Sequence, residues 1–294
     1  MTPKARPAAS RLTAVCLFAA AVLAATALVF ISTLALAAPV VLKTTELGRG
    51  PTIVFVHGLG ASRNDWLPTA RKLLGRYRVV LVDLPGHGDS PLLPDPFSFA
   101  TVGDALDAVL AKQNPDSTIV VAHQIGGRAA LAAFAAHPGR AKGLVLIDVP
   151  VGLPIAIDDQ QRKQFLDFLE QNYEAVSSRM FSNMGRDTTQ SKAIYTVFTQ
   201  TPAATVKAYV REGFFSDGNK DAKAAKVPQE MVVTSRVWKP GMTSGSVLKV
   251  MGWEDTTAAA IRMPDAAFWV MKDQPDSLAV IISNFATARI AAKK

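Results

Sequence analysis

Short apolar runs alternate with helical patterns in this chain, and no other feature constrains its fold as strongly. Residues 52–56, 78–82 and 118–121 are rich in Val, Ile and Leu, and each run stops abruptly at a loop. Continuous apolar runs of this length are typical of strands that are buried on both faces. Helical patterns lie between the runs, at residues 66–74 and 97–113. This order predicts an α/β fold with a mostly parallel sheet covered by helices on both faces.

The alternation is interrupted once and then resumes. Residues 151–226 are more polar and carry aromatic side chains at helical spacing, which indicates an inserted helical segment. The remaining strands are predicted at residues 143–147, 230–234 and 267–271, and the remaining core helices at residues 126–136 and 274–291. We therefore predict a core formed by residues 38–150 and 227–294, with residues 151–226 as a cap between its two parts.

The first 37 residues have the composition of an export segment. Three basic residues lie within the first eleven positions, and residues 12–42 carry no charge. The small residues Ala35 and Ala37 stand where a signal peptidase would need them for cleavage before Ala38. Residues 1–37 are thus predicted to be a signal peptide or an uncleaved N-terminal membrane anchor. Both readings place the domain outside the cytoplasm, either exported to the periplasm or medium or anchored to the membrane.

Composition excludes several other classes of protein. With 49% hydrophobic and 19% charged residues, the chain is too apolar for a disordered protein. The 32 basic and 24 acidic residues are scattered rather than clustered with aromatic side chains, so we predict no nucleic-acid partner. One cysteine and four histidines favour neither a disulfide framework nor a zinc site. We predict no metal and no cofactor, and a small molecule as the partner.

Five segments together resemble the α/β-hydrolase fold superfamily, over nearly all of residues 40–294. They are residues 57–60 (His-Gly-Leu-Gly, followed by Trp66), 83–90 (Asp-Leu-Pro-Gly-His-Gly-Asp-Ser), 122–127 (Ala-His-Gln-Ile-Gly-Gly), 144–148 (Leu-Val-Leu-Ile-Asp) and 273–275 (Asp-Gln-Pro). Members of this family that carry a helical cap include esterases, epoxide hydrolases and haloalkane dehalogenases. The resemblance implies the same fold and a catalytic site at the turn near residue 124.

The residues at the positions of the catalytic triad differ from those of the family. The resemblance places the nucleophile at Gln124, whose carboxamide does not attack carbon as an activated hydroxyl or a carboxylate does. It places the histidine base at Phe268, and no histidine follows residue 137. The segment after residues 230–234 contains no acid, which leaves Asp148 as a possible acid. Hydrolysis by a Ser/His/Asp triad is therefore not supported by these residues.

The oxyanion site does not depend on those side chains. The family forms it from two backbone N–H groups, which here belong to Leu59 and Ile125, with His57 and Gly58 in the same ligand-binding loop. The residues predict a protein that binds a small carbonyl or ester-like ligand with little or no hydrolysis. The alternative is an active hydrolase for an ester, epoxide or carbon-halogen bond, or a non-hydrolytic enzyme that uses the oxyanion site with a non-standard base.

Overall fold

A computed structural model of the protein describes residues 40–152 and 157–290. The predicted export segment at residues 1–37 lies outside the described residues. From Val40 onward the chain forms one compact unit, so the inserted helices and the core belong together. None of the helices in the described ranges combines the length and the apolar character needed to cross a membrane.

A seven-stranded sheet forms the centre of the molecule. Its strands, in chain order, are β1 (Thr44–Leu47), β2 (Thr52–Val56), β3 (Arg78–Val82), β4 (Thr118–His123), β5 (Gly143–Ile147), β6 (Gln229–Thr234) and β7 (Ala260–Met263). They are arranged β1-β3-β2-β4-β5-β6-β7, and only β1 runs antiparallel to its neighbour. The predicted fold class, a mostly parallel sheet between helices, is confirmed.

Both faces of the sheet are buried, which explains the unbroken apolar runs of its central strands. In β2, Ile53 and Phe55 belong to one hydrophobic cluster, whereas Val54 and Val56 belong to the other. Alternate side chains of a strand point to opposite faces, so a strand covered on both sides needs apolar residues throughout. The carboxyl ends of the parallel strands consequently meet at one edge of the sheet, where the loops carry polar side chains.

Helices cover the two faces and form the insertion. They are α1 (Leu67–Leu73), α2 (Phe99–Leu110), α3 (Ile125–Ala136), α4 (Asp159–Gln171), α5 (Tyr173–Phe181), α6 (Thr188–Phe198), α7 (Ala203–Phe215), α8 (Gly218–Ala224), α9 (Ser244–Val250), α10 (Val270–Asp273) and α11 (Pro275–Ile290). Helices α2 and α3 pack against one face, and α1 and α11 pack against the other. Helices α4 to α8 lie between β5 and β6 in the chain, within the segment 151–226 that was predicted as a cap.

One predicted strand is wrong. Residues 267–271 do not form a strand: the seventh strand is β7, and Val270 and Met271 begin the short helix α10. The apolar character of residues 267–271 comes from burial, because a buried loop and helix need it as much as a strand does. In β7 the exposed Arg262 interrupts the apolar pattern at the edge of the sheet, and this hides the strand. Strand β1 was not predicted for a similar reason, since its residues are half-buried or exposed.

Candidate active site

The turn between β4 and α3 places Gln124 at the carboxyl edge of the sheet. Gln124 has φ 49° and ψ −118°, a left-handed conformation that is costly for a residue with a side chain. Its N–H donates to the carbonyl of Ile147, at 2.9 Å. The turn also needs Gly126 and Gly127, because a Cβ at either position would overlap the His57 carbonyl or the Val149 side chain. Close contact with neighbouring loops thus holds Gln124 in its strained conformation.

Two backbone N–H groups near Gln124 make no hydrogen bond within the described residues. They belong to Leu59, in the loop after β2, and to Ile125, the first residue of α3. Within residues 40–152 and 157–290, neither group has a hydrogen-bond acceptor. The two loops touch, since a Cβ added at Gly58 would lie 3.2 Å from Cβ of Gln124. The positive end of the α3 dipole favours negative charge at this point, so the pair has the chemistry of an oxyanion site.

His57 and His87 hold the loops that carry these groups. His57 Nδ1 donates to the Gly58 carbonyl at 2.8 Å, and its Nε2 accepts the N–H of Leu84 at 3.0 Å. His87 Nδ1 donates to the Pro85 carbonyl at 3.1 Å, and its Nε2 accepts the N–H of Gly60 at 3.2 Å. Burial lowers the pKa of His57, and it lowers the pKa of His87 to about 3. Both rings are therefore neutral near pH 7, with both nitrogens already used in loop structure.

His123, at the end of β4, is fully buried and differs from these two. Among the described residues, neither of its ring nitrogens has a hydrogen-bond partner. A Cβ added at Gly58 would lie 2.7 Å from its Nδ1, so the ring presses against the oxyanion loop. Burial, with a smaller contribution from the charge of Arg236, lowers its pKa to about 3. His123 is a neutral polar group in an otherwise apolar part of the site, and a weak base.

Three phenylalanine side chains cover the site, two from the inserted helices and one from the core. Phe268, at the position predicted for the base, lies edge-on to His123 with ring centroids 5.0 Å apart. Phe181 of α5 lies 6.0 Å from Phe268 and stacks on Phe198 of α6 at 3.8 Å. The Phe198 ring in turn lies over Gly60, where an added Cβ would overlap it. These three side chains, the phenylalanine cover, are buried and close the space above the oxyanion loop.

Asp148 follows β5 and is used to join two strands. Its Oδ1 accepts the N–H of Thr234 at 2.9 Å, and its Oδ2 accepts the Thr234 hydroxyl at 2.5 Å. Burial raises the pKa of Asp148, while the charge of Arg236 and the bonds from Thr234 oppose that shift. In the described part of the chain, this carboxyl has no hydrogen bond to His123 or Gln124. The structure therefore brings Gln124, Phe268 and the oxyanion groups together but ties Asp148 to β6.

Arg236 is the charged residue that sequence reasoning overlooked. It follows β6 at the same edge of the sheet, is half-buried, and its Nε is buried without a partner among the described residues. The sequence contains no acid just after residues 230–234, and only this absence entered the prediction. A basic residue at that point was the available signal.

A cavity of about 550 Å³ adjoins the oxyanion loop. It lies between the loops after β2 and β3 and the cap helices α6 and α7. Its lining includes Gly60, Asp89, Ser90, Gln200 and Thr205. Across residues 40–152 and 157–290, no three His, Cys, Asp or Glu side chains are grouped as metal ligands. The arrangement thus offers backbone hydrogen-bond donors and a space for a small molecule.

Comparison with known proteins identifies a family and several relatives. A family model described as alpha/beta hydrolase fold matches residues 51–210. A pimeloyl-[acyl-carrier protein] methyl ester esterase from Chromobacterium violaceum is 40% identical over 101 residues, which is 34% of this chain and 38% of the relative. A 2-succinyl-6-hydroxy-2,4-cyclohexadiene-1-carboxylate synthase from Yersinia pseudotuberculosis is 38% identical over 117 residues, 39% of this chain and 42% of the relative. The chain spans about two fifths of the length of these curated relatives.

Solved structures show the same fold over most of the chain. A hydrolase from Oleispira antarctica superimposes with a TM-score of 0.69 at 13% identity, covering 83% of this chain and 94% of that one. An enol-lactonase from Burkholderia xenovorans gives a TM-score of 0.66 at 17% identity, covering 84% and 96%. At these identities the likeness concerns the fold.

The function predicted from the sequence needs correction. A non-catalytic binding protein is contradicted by relatives that are named as enzymes, among them esterases, a carbamate hydrolase and a diacylglycerol lipase, whereas nothing tests the predicted export. That prediction relied on the side chains of Gln124 and Phe268, whereas the N–H groups of the oxyanion site belong to the backbone. The alternative, an active hydrolase, agrees better with the relatives. With a family match over residues 51–210 and a seven-stranded sheet of this topology, the chain belongs to the α/β-hydrolase fold family.

Proposed function

We propose that the protein is a hydrolase that acts on an ester or a similar carbonyl compound. One observation carries this proposal: the N–H groups of Leu59 and Ile125 have no acceptor within the described residues, and they stand on touching loops beside Gln124. Two such donors stabilise the negative charge that develops on a carbonyl oxygen under attack. The esterases among the curated relatives support the same class of reaction.

In this proposal water, rather than Gln124, attacks the carbonyl carbon. A carboxamide is not deprotonated near pH 7, so Gln124 forms no acyl-enzyme, but it offers one acceptor and two donors that can orient a water molecule. The new carbon–oxygen bond forms to the water oxygen, the bond to the leaving group breaks, and the proton of the water passes to solvent. The oxyanion groups hold the charge in between, and in other enzymes one such donor contributes about a hundredfold or more to the rate.

The weak base at the site limits the substrates. With a pKa of about 3, the His123 imidazole takes up a proton poorly at neutral pH. Leaving groups that depart as stable anions need no protonation. We therefore expect esters of phenols to be hydrolysed much faster than esters of simple alcohols.

The test uses the full-length chain with para-nitrophenyl acetate, ethyl acetate and two glycine variants. Gly58→Ala pushes a Cβ against His123 Nδ1 and disturbs the oxyanion loop. Gly75→Ala is the matched control, because nothing lies within 4 Å of the added Cβ. We expect hydrolysis of the phenyl ester above the buffer rate, a loss of about tenfold or more in Gly58→Ala, and little change in the control. A rate equal to that of buffer, or one that Gly58→Ala leaves unchanged, contradicts the proposal.

A further inference from the structure

Arg236 is held rigidly at the edge of the site by its neighbours in the loop after β6. The N–H groups of Val237 and Trp238 donate to the Thr234 carbonyl, at 3.1 and 2.8 Å. Ser235 donates its N–H to the carbonyls of Met263 and Ala266 and its hydroxyl to Ala266. The loop therefore has little freedom to carry Arg236 away from the sheet edge.

The guanidinium of Arg236 forms no hydrogen bond and no ion pair within residues 40–152 and 157–290, although its charge acts on the carboxyl of Asp148. None of the ion pairs or hydrogen bonds in this part of the chain involves its side chain, and its Nε is buried without an acceptor. Asp148, the buried acid at the neighbouring strand end, uses both oxygens on Thr234. A buried N–H without an acceptor costs free energy, and an oxygen of a bound ligand would satisfy the Nε of Arg236.

The surroundings of Arg236 attract negative charge. Helix α3 begins at this edge of the sheet and directs its positive end outward. Lys239 lies on the same loop, with its Nζ 3.0 Å from the Ser235 carbonyl. The charge of Arg236 also acts on His123, where it adds to burial in lowering the pKa of the imidazole. Arg236, Lys239 and the amino end of α3 thus all lie at the carboxyl edge of the sheet.

We propose that Arg236 binds a carboxylate carried by the substrate, which makes the substrate an ester that also bears a carboxylate group. This inference rests on the proposed hydrolase function, because it assumes that the ester carbonyl occupies the Leu59 and Ile125 groups. A planar guanidinium matches a carboxylate through two parallel hydrogen bonds, whereas a phosphate site usually gathers several cationic groups. Here Arg236 supplies the planar guanidinium, while Lys239 is engaged with the Ser235 carbonyl, and this arrangement fits a carboxylate.

The kinetic test compares two phenyl esters of equal chain length. The para-nitrophenyl monoester of glutaric acid carries a terminal carboxylate, and para-nitrophenyl pentanoate does not. We expect the wild-type chain to favour the anionic ester in kcat/KM by about tenfold or more, mainly through KM, because a charged hydrogen bond is lost with the neutral ester. In Arg236→Gln the ratio should fall to about one, and Arg236→Lys should keep part of it. The exposed Arg262 provides the control, since Arg262→Gln removes the same charge elsewhere and should keep the ratio.

A binding measurement separates this inference from the proposed function. Glutarate and its neutral diamide are titrated into each variant by calorimetry, with circular dichroism to confirm the fold. Arg236-dependent binding of glutarate without ester hydrolysis supports the carboxylate site and overturns the hydrolase proposal. Hydrolysis with no preference for the anionic ester, and glutarate binding that Arg236→Gln does not weaken, overturns the carboxylate site and leaves the hydrolase. If the protein neither hydrolyses the esters nor binds glutarate through Arg236, the hydrolase proposal and the carboxylate site are both overturned.

Discussion

Gln124 combines a strained backbone conformation with a polar side chain at the site. Its φ of 49° would suit glycine, yet the chain places a long polar side chain there. Such a residue costs about 1–3 kcal/mol of stability, and it persists where surrounding contacts or function require it. In the proposed reaction the side chain orients water. The strain lowers the stability of the fold, and it is retained because the turn places a functional side chain at the site.

This view predicts opposite effects of one substitution on stability and on rate. Gln124→Gly should raise the free energy of unfolding by about 1 kcal/mol because the strain is relieved, while ester hydrolysis falls. Gln124→Ala keeps the strain and removes the side chain, so it should lower the rate without the gain in stability. Urea denaturation and ester turnover measure the two effects.

Lys226 provides the control for that substitution. It also has a positive φ, 40°, but it is exposed and lies outside the site. Lys226→Gly should stabilise the protein by a similar amount and leave the rate of hydrolysis unchanged. Unaltered hydrolysis in both Gln124 variants would show that the carboxamide takes no part in the reaction.

The cap helices determine how much room the site has. Phe181 and Phe198 come from α5 and α6, and they reach Phe268 and Gly60 of the core. A cavity of about 550 Å³ is lined by Gly60 and by Val197 of α6, the residue before Phe198. The Phe198 ring therefore packs on a residue that also lines this cavity.

Truncating Phe198 should enlarge that space at a cost in stability. Phe198→Ala should lower the free energy of unfolding by about 3–5 kcal/mol, as for other buried phenylalanines, and should raise the rate for esters with longer acyl chains relative to acetate. Phe198→Leu should do the same to a smaller extent, which keeps the test valid if the alanine variant unfolds. Phe168→Ala is the control, because Phe168 is 54% exposed on the cap and its loss should change stability by less than about 0.5 kcal/mol.

The sequence predicted the strands well where both faces are buried and poorly at the edges of the sheet. Strands β2 to β6 are covered on both faces, so their apolar runs mark them within a residue or two. The edge strands β1 and β7 lack that pattern, and the apolar run at residues 267–271 is a loop and helix. The resemblance to the family, and not the apolar pattern, indicated Gln124, Leu59 and Ile125, which lie near the ends of predicted strands. The phenylalanine cover and the unpaired Arg236 depend on contacts between distant segments, which periodicity does not reveal.

At the scale of the whole molecule, three buried histidines make stability depend on pH. Their ordinary pKa is 6.5, and burial lowers that of His57 and takes those of His87 and His123 to about 3. Below pH 6.5 these histidines are protonated in the unfolded chain, whereas in the folded chain they stay neutral. Stability therefore falls as the pH drops from about 6.5 towards 3. Asp148 acts in the opposite direction, because its raised pKa favours the folded state at low pH, and this contribution is lost as the pH rises.

We expect the free energy of unfolding to fall between about pH 7 and pH 5, with each buried histidine contributing up to about 1.4 kcal/mol per pH unit. His123→Leu should reduce that slope by about one histidine's share, and it also removes two unpartnered ring nitrogens. His137→Gln, at an exposed site, is the control. Urea denaturation at several pH values measures the slope, and an equal slope in wild type and His123→Leu would contradict the neutral, buried state of His123.

The bonds between Asp148 and Thr234 have a consequence for how the cap can vary. They join two positions 86 residues apart, on either side of the whole insertion. The insertion therefore leaves and re-enters the core at neighbouring points that are held together without it. For a loop closed in this way, doubling its length costs only about 0.6 kcal/mol of chain entropy. Helices of another length or sequence could replace the cap while the sheet and the oxyanion loops stay in register, so this family member could acquire new substrates by exchanging one contiguous segment.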